Sequence, residues 1–361
     1  MKIVIIGAGV AGLSIGWRLL QSGADVTVLE RAQAGRGATW ASAGMISPTA
    51  EAGEKDTPET QFASHAAQLW PHFAREIEEA SGRGVDYRAD GTLIVARTAD
   101  EAAALSARAK GAAGLEFLPR DEARALEPLL AADIHGALFD PAEAQVDNRA
   151  LANALIVAFR RAGGDLQTNE AAVRIEVENG RAIGARTPFH LHEADAFILA
   201  AGAWSAEIEV LPASARPPVV PVKGEMIALM PEAALPKHVI WGNDVYLVPR
   251  RDRLLIGATA ARVGLDTSLT KDAAEFLFGR AAALLPALAN WPVIDHWAGL
   301  RPGSPDDLPL LGRAAVEGLF IASGQYRNGI LFAPAIADLM ARIVLNGDVE
   351  IAAFDPRRFA H

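Results

Sequence analysis

Hydrophobic patterning is clearest at the start of the chain. Ile3 to Ile6 is an unbroken apolar run, helical spacing follows it, and a second apolar run ends at Glu30, so residues Lys2 to Arg31 read as strand, turn, helix and strand. Further on, Phe62, Ala66, Leu69, Phe73 and Ile77 recur at helical intervals and predict a helix over Gln61 to Glu79. Tyr87 to Arg97 alternates like a strand, Ala99 to Ala113 is an alanine-rich helix, Leu118 to Leu130 holds a helix opened by Asp121, and Gly136 to Phe139 is a short strand. A long amphipathic helix is expected over Asn148 to Ala162. Strands around Val173 to Val177 and Ala182 to Arg186 follow, joined by an Asn179-Gly180 hairpin turn.

Ala194 to Ser205 is an apolar strand that stops at Ala-Ala-Gly-Ala-Trp. It reads either as a parallel strand returning to the first unit or as any buried strand before a glycine turn. Pro217 to Arg301 is short-stranded, turn-bounded and β-rich, which predicts one antiparallel sheet assembled from separate pieces. The chain closes with a strand over Leu319 to Ala322, a loop over Gly324 to Gly329 and a helix over Ile330 to Leu345. Strands of one sheet therefore come from the beginning, middle and end of the sequence. The expected class is α/β plus α+β: a Rossmann-like domain made of residues 1–85, 140–216 and 302–361, and a mainly antiparallel second domain made of 86–139 and 217–301.

Chemistry enters with the first turn. Gly7, Gly9 and Gly12 have G-x-G-x-x-G spacing between strand and helix. Gly7 permits the tight exit, Gly9 lets a pyrophosphate reach the backbone, Gly12 lets helix and strand pack, and the helix N-terminus supplies free N–H groups to an anion. Glu30 stands where a carboxylate takes both hydroxyls of an adenosine ribose and repels a 2′-phosphate, so NADP is disfavoured while NAD and FAD both stay open. Residues 31–53 are rich in Gly, Ala and Ser, which suits a backbone lying against a large flat ligand, with a mobile loop as the lesser alternative.

Composition narrows the classes. A length of 361 residues favours two domains, and a net charge of -10 without any Lys/Arg run argues against a nucleic-acid surface. The absence of cysteine excludes disulfides, cysteine-based zinc sites, a thiol nucleophile and a flavin tethered through sulfur. No stretch of about 18 apolar residues predicts a membrane span. The first apolar run reads as a strand rather than a signal peptide, which makes the cytoplasm the expected compartment. The eight histidines form no evident acid/base or metal pattern, and His190-x-His192 reads as part of a solvated strand, so no metal is expected.

Taken together, Gly7 to Glu30, Ala43-Gly44-Met45, PVKG at 221–224, YLVPR at 246–250, GAT at 257–259, GLRP at 299–302 and YRNGIL at 326–331 resemble the D-amino-acid-oxidase-like flavoproteins over essentially the whole chain. Within them, the sequence is most similar to the bacterial glycine oxidases of thiazole formation in thiamine synthesis. The resemblance implies noncovalent FAD between the domains, held by Gly7, Gly9, Gly12, Glu30, Arg31, Ala43, Gly44, Met45, Val173, Gly202, Arg301, Gly324, Asn328, Gly329 and Ile330. It implies a small amino acid and O2 as reaction partners, with Arg301 and Tyr246 on the substrate carboxylate and Arg327 as a second active-site arginine. It also implies a homo-oligomer, dimer or tetramer. A guanidinium gives two parallel bonds to a carboxylate and a phenol adds a third donor. One departure stands out: Ala260-Ala261-Arg262 replaces acidic residues common in glycine oxidases, and if that loop borders the pocket Arg262 favours a more acidic substrate. The rival readings are a D-amino or imino acid dehydrogenase with a quinone or protein acceptor, an NAD-dependent dehydrogenase, an FAD module acting on modified tRNA, and a flavoprotein scaffold without turnover.

Overall fold

Two sheets carry the fold, and the alternation of side chains in each decides what it covers. The computed structural model describes residues 1–51, 56–210, 212–242, 244–347 and 351–359. Its six-stranded sheet runs in the order Leu310–Arg313, Leu319–Ser323, Ala196–Leu199, Lys2–Ile6, Asp25–Glu30, Asp165–Thr168. All pairings are parallel except that of the edge strand Leu310–Arg313. Ala196–Leu199 is thus the returning parallel strand, paired to Lys2–Ile6 with Ile5 opposite Ile198.

In the first strand Ile3 and Ile5 join a core with the helices Val10–Gln21, Pro58–Ser81, Asn148–Arg161 and Ala333–Asn346. Val4 and Ile6 face the other way, onto a three-stranded sheet that contributes Ile175, Ala182 and Ala185. The strand is therefore buried on both faces, which is why it reads as a continuous apolar run. Helix Pro58–Ser81 starts at a reciprocal Thr57–Thr60 cap and ends at Gly82, whose φ of +65° is the left-handed conformation that closes helices.

The second sheet has eight strands in the order Val293–Gly303, Val220–Leu229, Leu254–Gly257, Val245–Pro249, Val239–Gly242, Thr92–Ala96, Gly136–Asp140, Glu116–Leu118. It is antiparallel but for one parallel pair, Val239–Gly242 with Thr92–Ala96. One face packs Leu247, Ile227 and Ile256 against Leu277, Ala281 and Leu284 of helix Lys271–Leu284. That helix was not expected: Pro217 to Arg301 read as strands throughout. Its alanine-rich sequence carries only four buried positions, and the sheet it covers exists only in the assembled fold. The other face carries Met226, Tyr246, Val248, Leu255 and Trp297 toward Ala41 and Ala43.

Two smaller expectations are corrected. Asp121 does not cap its helix; Pro119 occupies the cap and Asp121 lies in the first turn of Arg120–Leu126, where a carboxylate still meets the positive end of the helix dipole. The last helix starts at Ala333 rather than Ile330, because Asn328 to Phe332 form separate turns ahead of it. The small-residue loop after Glu30 holds short helices at Ala38–Ala41 and Pro48–Glu51 and the strand Met45–Ile46; residues 52 and 53, its expected end, lie outside the described residues.

Candidate active site

The carboxyl edge of the six-stranded sheet and the inner face of the eight-stranded sheet enclose a cavity of about 450 Å³. Its walls come from the carboxyl ends of Lys2–Ile6, Asp25–Glu30 and Ala196–Leu199 and from the loop after Leu319–Ser323, the position where parallel sheets of this type take their ligands. Gly7 leaves its strand with φ +109° and lies so close to Ala200 that a Cβ would fall 2.4 Å from that residue's carbonyl oxygen. A Cβ on Gly9 would instead enter the cavity, with Thr39 Oγ1 at 3.5 Å as its nearest neighbour. Gly9 at the helix N-cap has no side chain to offer; Thr39 Oγ1 accepts the Val10 N–H at 2.9 Å, and the next N–H groups of the first turn face the cavity without a side-chain partner among the described residues. An anion at this point meets main-chain N–H groups and the positive end of the helix dipole.

Glu30 holds this cradle in shape. Oε2 accepts from the Ala8 N–H at 2.9 Å and Oε1 from the Ala32 N–H at 3.0 Å, which leaves lone pairs of both oxygens for ribose hydroxyls. Beside it the Arg31 guanidinium lies 3.6 Å from the Trp204 ring centroid, forming a flat wall. Toward the middle of the cavity, Ala43, Gly44 and Met45 are fixed from behind by Arg250, whose guanidinium donates to the carbonyls of Ala43 and Val146 and to Gln145 Oε1. Burial draws the pKa of Arg250 down to about 10, so it stays cationic at neutral pH.

The far end is made of side chains. Strand pairing sets Tyr246 opposite Gly257 and Gly257 opposite Met226, and places Arg301 opposite Val222 and Gly224 opposite Gly299. Each glycine clears room for a functional group. A Cβ on Gly224 would stand 2.4 Å from Arg301 Nη1, and one on Gly257 would stand 2.5 Å from the Tyr246 ring. Arg301 Nη1 donates to Thr259 O at 3.0 Å, and the Tyr246 hydroxyl lies 3.8 Å from Met226 Sδ. Arg327 completes this end, 5.6 Å from the Trp241 ring centroid, with Trp241 in turn 5.1 Å from the Tyr246 ring.

Of the residues expected from sequence, Gly7, Gly9, Glu30, Arg31, Ala43, Gly44, Met45, Val173, Gly202, Tyr246, Arg301, Arg327, Asn328, Gly329 and Ile330 line this one cavity. Gly12 and Gly324 do not. Gly12 packs behind the turn, where a Cβ would lie 2.0 Å from Gly7 O, and Gly324 forms the turn after its strand against Leu310. Arg262 is also off the wall: it is largely exposed with Nη2 3.7 Å from Asp307 Oδ1, so the expectation that it biases the pocket toward acidic substrates loses its geometric basis. Sequence reasoning missed Thr39, Trp204, Met226 and Gln325 as wall residues. Trp204 and Gln325 lie five and two residues beyond a strand's carboxyl end, a position that marks ligand contacts in such sheets. The histidines are not patternless in space, since His190 and His192 converge on Glu170.

A glycine cradle shaped for a pyrophosphate leads to a half-buried arginine and a buried tyrosine under a second sheet, the layout of a dinucleotide-binding protein with positive charge at the far end of its cavity. Residues 2–343 match the model of the FAD dependent oxidoreductase family, and the chain belongs to that family. It is 35% identical to the bifunctional protein ThiO/ThiG of Synechocystis sp. over 99% of this chain and 54% of that one. The chain therefore spans about half the length of these bifunctional relatives. It is 34% identical to the glycine oxidase of Pseudomonas aeruginosa, over 95% of this chain and 94% of that one. The glycine oxidase structure from Geobacillus kaustophilus superposes with a TM-score of 0.92 at 31% identity, covering 98% of both chains.

FAD is the cofactor of the family, and the walls fit it. The open space over Gly9 takes a pyrophosphate, Glu30 a ribose without a 2′-phosphate, and the Arg31–Trp204 wall a flat base. Further along the cavity, Gln325 Nε2 and Asn328 Oδ1 are buried with no hydrogen-bond partner among the described residues, a donor and an acceptor left for a polar ring. Among the described residues, no helix is long and apolar enough to cross a membrane.

Proposed function

We propose that this protein is an FAD-dependent oxidase of a small amino acid, with glycine, sarcosine or a small D-amino acid as substrate. The observation that carries the reading is the Arg301 guanidinium lodged in space that Gly224 leaves open, on the same wall as Tyr246. Arg301 takes the substrate carboxylate through its planar fork, and the Tyr246 hydroxyl donates a further bond. Thr259 O retains one guanidinium N–H at 3.0 Å, which fixes the plane of the fork before substrate arrives. Arg327 adds a second positive charge at the same end.

The carboxylates among the described lining residues, Glu30 and Glu207, belong to the nucleotide end, and no histidine or lysine joins them on the wall. The amine therefore enters neutral and its proton leaves to solvent, while Arg301 and Tyr246 hold the Cα–H bond in a reactive orientation; positioning supplies most of the rate. As the Cα–H bond breaks, the nitrogen lone pair forms the C=N bond. Water then adds to the imine and releases a 2-oxo acid and ammonia, or methylamine from sarcosine. Bound FAD supplies the two-electron acceptor, which O2 reoxidises with formation of H2O2.

The domain division belongs to the same proposal. Residues 1–85, 140–216 and 302–361 form the FAD-binding unit and 86–139 and 217–301 the substrate unit, a reading supported by the stretches from which each sheet draws its strands. Cytoplasmic placement and assembly as a dimer or tetramer are likewise proposed, the latter testable by sedimentation velocity. The central test is anaerobic bleaching of the flavin by glycine, sarcosine, D-alanine, D-proline and D-aspartate in turn. Fast bleaching by one of the first four, reversed by air with H2O2 formed, is the expected result. Bleaching that air reverses only slowly would make the protein a dehydrogenase with another acceptor. No bleaching would overturn the assignment of Arg301 and Tyr246.

A further inference from the structure

Behind the nucleotide end, and outside the cavity, one carboxylate and two imidazoles meet. Glu170 lies two residues beyond strand Asp165–Thr168, while His190 and His192 belong to the turn and outer strand Leu191–Glu193 of the three-stranded sheet. Their ligand atoms lie within 4.8 Å of one another. Glu170 Oε1 alone is approached by Thr187 Oγ1 at 2.6 Å, His190 Nδ1 at 2.9 Å and His192 Nε2 at 3.2 Å. A carboxylate oxygen has about two lone-pair sites, so three donors on one atom exceed what hydrogen bonding can use.

The same convergence suits a cation. Metal–ligand distances of about 2.0–2.2 Å set tetrahedral neighbours about 3.3–3.5 Å apart; His192 Nε2 at 3.2 Å from the carboxylate oxygen is close to that, and His190 Nδ1 at 2.9 Å has to withdraw by about 0.4 Å. Two imidazoles with one carboxylate form a zinc-type donor set, and the absence of thiolates disfavours softer ions. The Thr187 hydroxyl donates to the same carboxylate oxygen and accepts the His190 N–H at 2.9 Å, so it holds carboxylate and histidine segment in place, a support common to metal sites. His192 and Glu170 are largely buried, whereas the His190 side chain is 65% exposed, so it can turn to close the site while the solvent side stays open for a water ligand.

We propose that Glu170, His190 and His192 bind one divalent transition-metal ion of the zinc class. The site ties the outer three-stranded sheet to the wall of the cofactor cavity. The Glu170 N–H donates to Glu30 O at 2.9 Å, and Ala171, Ala172 and Val173 line the cavity. The ion takes no part in the reaction; it braces the adenosine end.

The test is calorimetric titration of Zn²⁺ into chelator-treated, FAD-loaded protein, with zinc-edge X-ray absorption on the one-equivalent complex. One saturable equivalent with two imidazoles in the coordination shell is expected. Affinity should drop at least about tenfold in His190→Ala, His192→Ala and Glu170→Gln. His190→Ala alters an exposed side chain and keeps the test valid if a buried variant misfolds. The absence of saturable binding, or binding unchanged in His190→Ala, would overturn the site. Zinc should also raise the temperature at which flavin fluorescence is released on heating; binding that leaves this temperature unchanged would overturn the bracing role.

Discussion

At one end of the cavity the wall is main chain, built from the turn at Gly7 to Val10, with Glu30 occupied in holding that turn. At the other end it is side chain: Arg301, Tyr246 and Arg327, each brought from a different stretch of the sequence. Glycine serves both ends differently. Gly7 and Gly12 let backbone approach backbone, whereas Gly224 and Gly257 leave space that a guanidinium and a phenol fill. Binding a dinucleotide asks for fixed N–H groups, which one local turn can supply. Orienting a small substrate asks for long side chains held still, and these need a second sheet behind them.

The largest effect that would sharpen this comparison is expected at Gly12. In Gly12→Ala a Cβ would lie 2.0 Å from Gly7 O, backbone against backbone, so the protein should purify without its yellow colour and lose about 3 kcal/mol of stability, read from flavin absorbance and denaturant unfolding. Arg301→Ala should do the opposite: flavin content stays and kcat/KM for the amino acid falls about 10³-fold, or about 4 kcal/mol, with Arg301→Lys recovering only part. Loss of flavin in that variant would mean the two ends are not separable.

Between the ends, Glu143 supports the connecting loop by accepting the N–H groups of Thr49 and Ala50 at 2.7 and 2.9 Å. Burial raises its pKa to about 7 in the fold, against the Ala50 hydrogen bond that favours the ion; 4.5 is its ordinary value. The folded state then binds the extra proton between pH 4.5 and 7, so stability should fall as pH rises through that window, by up to about 3 kcal/mol, and level off above it. Glu143→Gln should remove this slope, and an unchanged slope in chemical denaturation would reject the assignment.

Gly224→Ala is expected to displace the Arg301 guanidinium and lower kcat/KM about 10²-fold with flavin retained. Tyr246→Phe, which removes one neutral donor, should cost about tenfold, most of it in KM.

How much of this could be read in advance follows the same division. The nucleotide cradle was legible because Gly7, Gly9, Gly12 and Glu30 act within one strand–turn–helix–strand segment, whose spacing has a local physical meaning. That Arg301, Tyr246 and Arg327 would share one cavity wall could be expected only through resemblance. Nothing around them distinguishes an exposed arginine from one that fills the space beside a glycine 77 residues earlier. Helix Lys271–Leu284 was missed because its signal is packing against a sheet. Arg262 was misplaced because sequence order does not say which side of a strand end meets the cavity.

By itself, then, the chain determined the strands with long apolar or alternating runs, the first turn, the carboxylate that disfavours a 2′-phosphate, and a two-part fold, all set by hydrophobic period and by backbone freedom over a few residues; the short strands Asp165–Thr168 and Leu310–Arg313 carry no such run and were not read. The tertiary structure decided that Gly224 and Gly257 make room for Arg301 and Tyr246, that Arg250 secures the loop at Ala43, and that Glu170 meets two histidines. Those pairings depend on strand register and on the docking of two sheets, which place side chains from distant segments within a few ångströms. No local pattern encodes that distance.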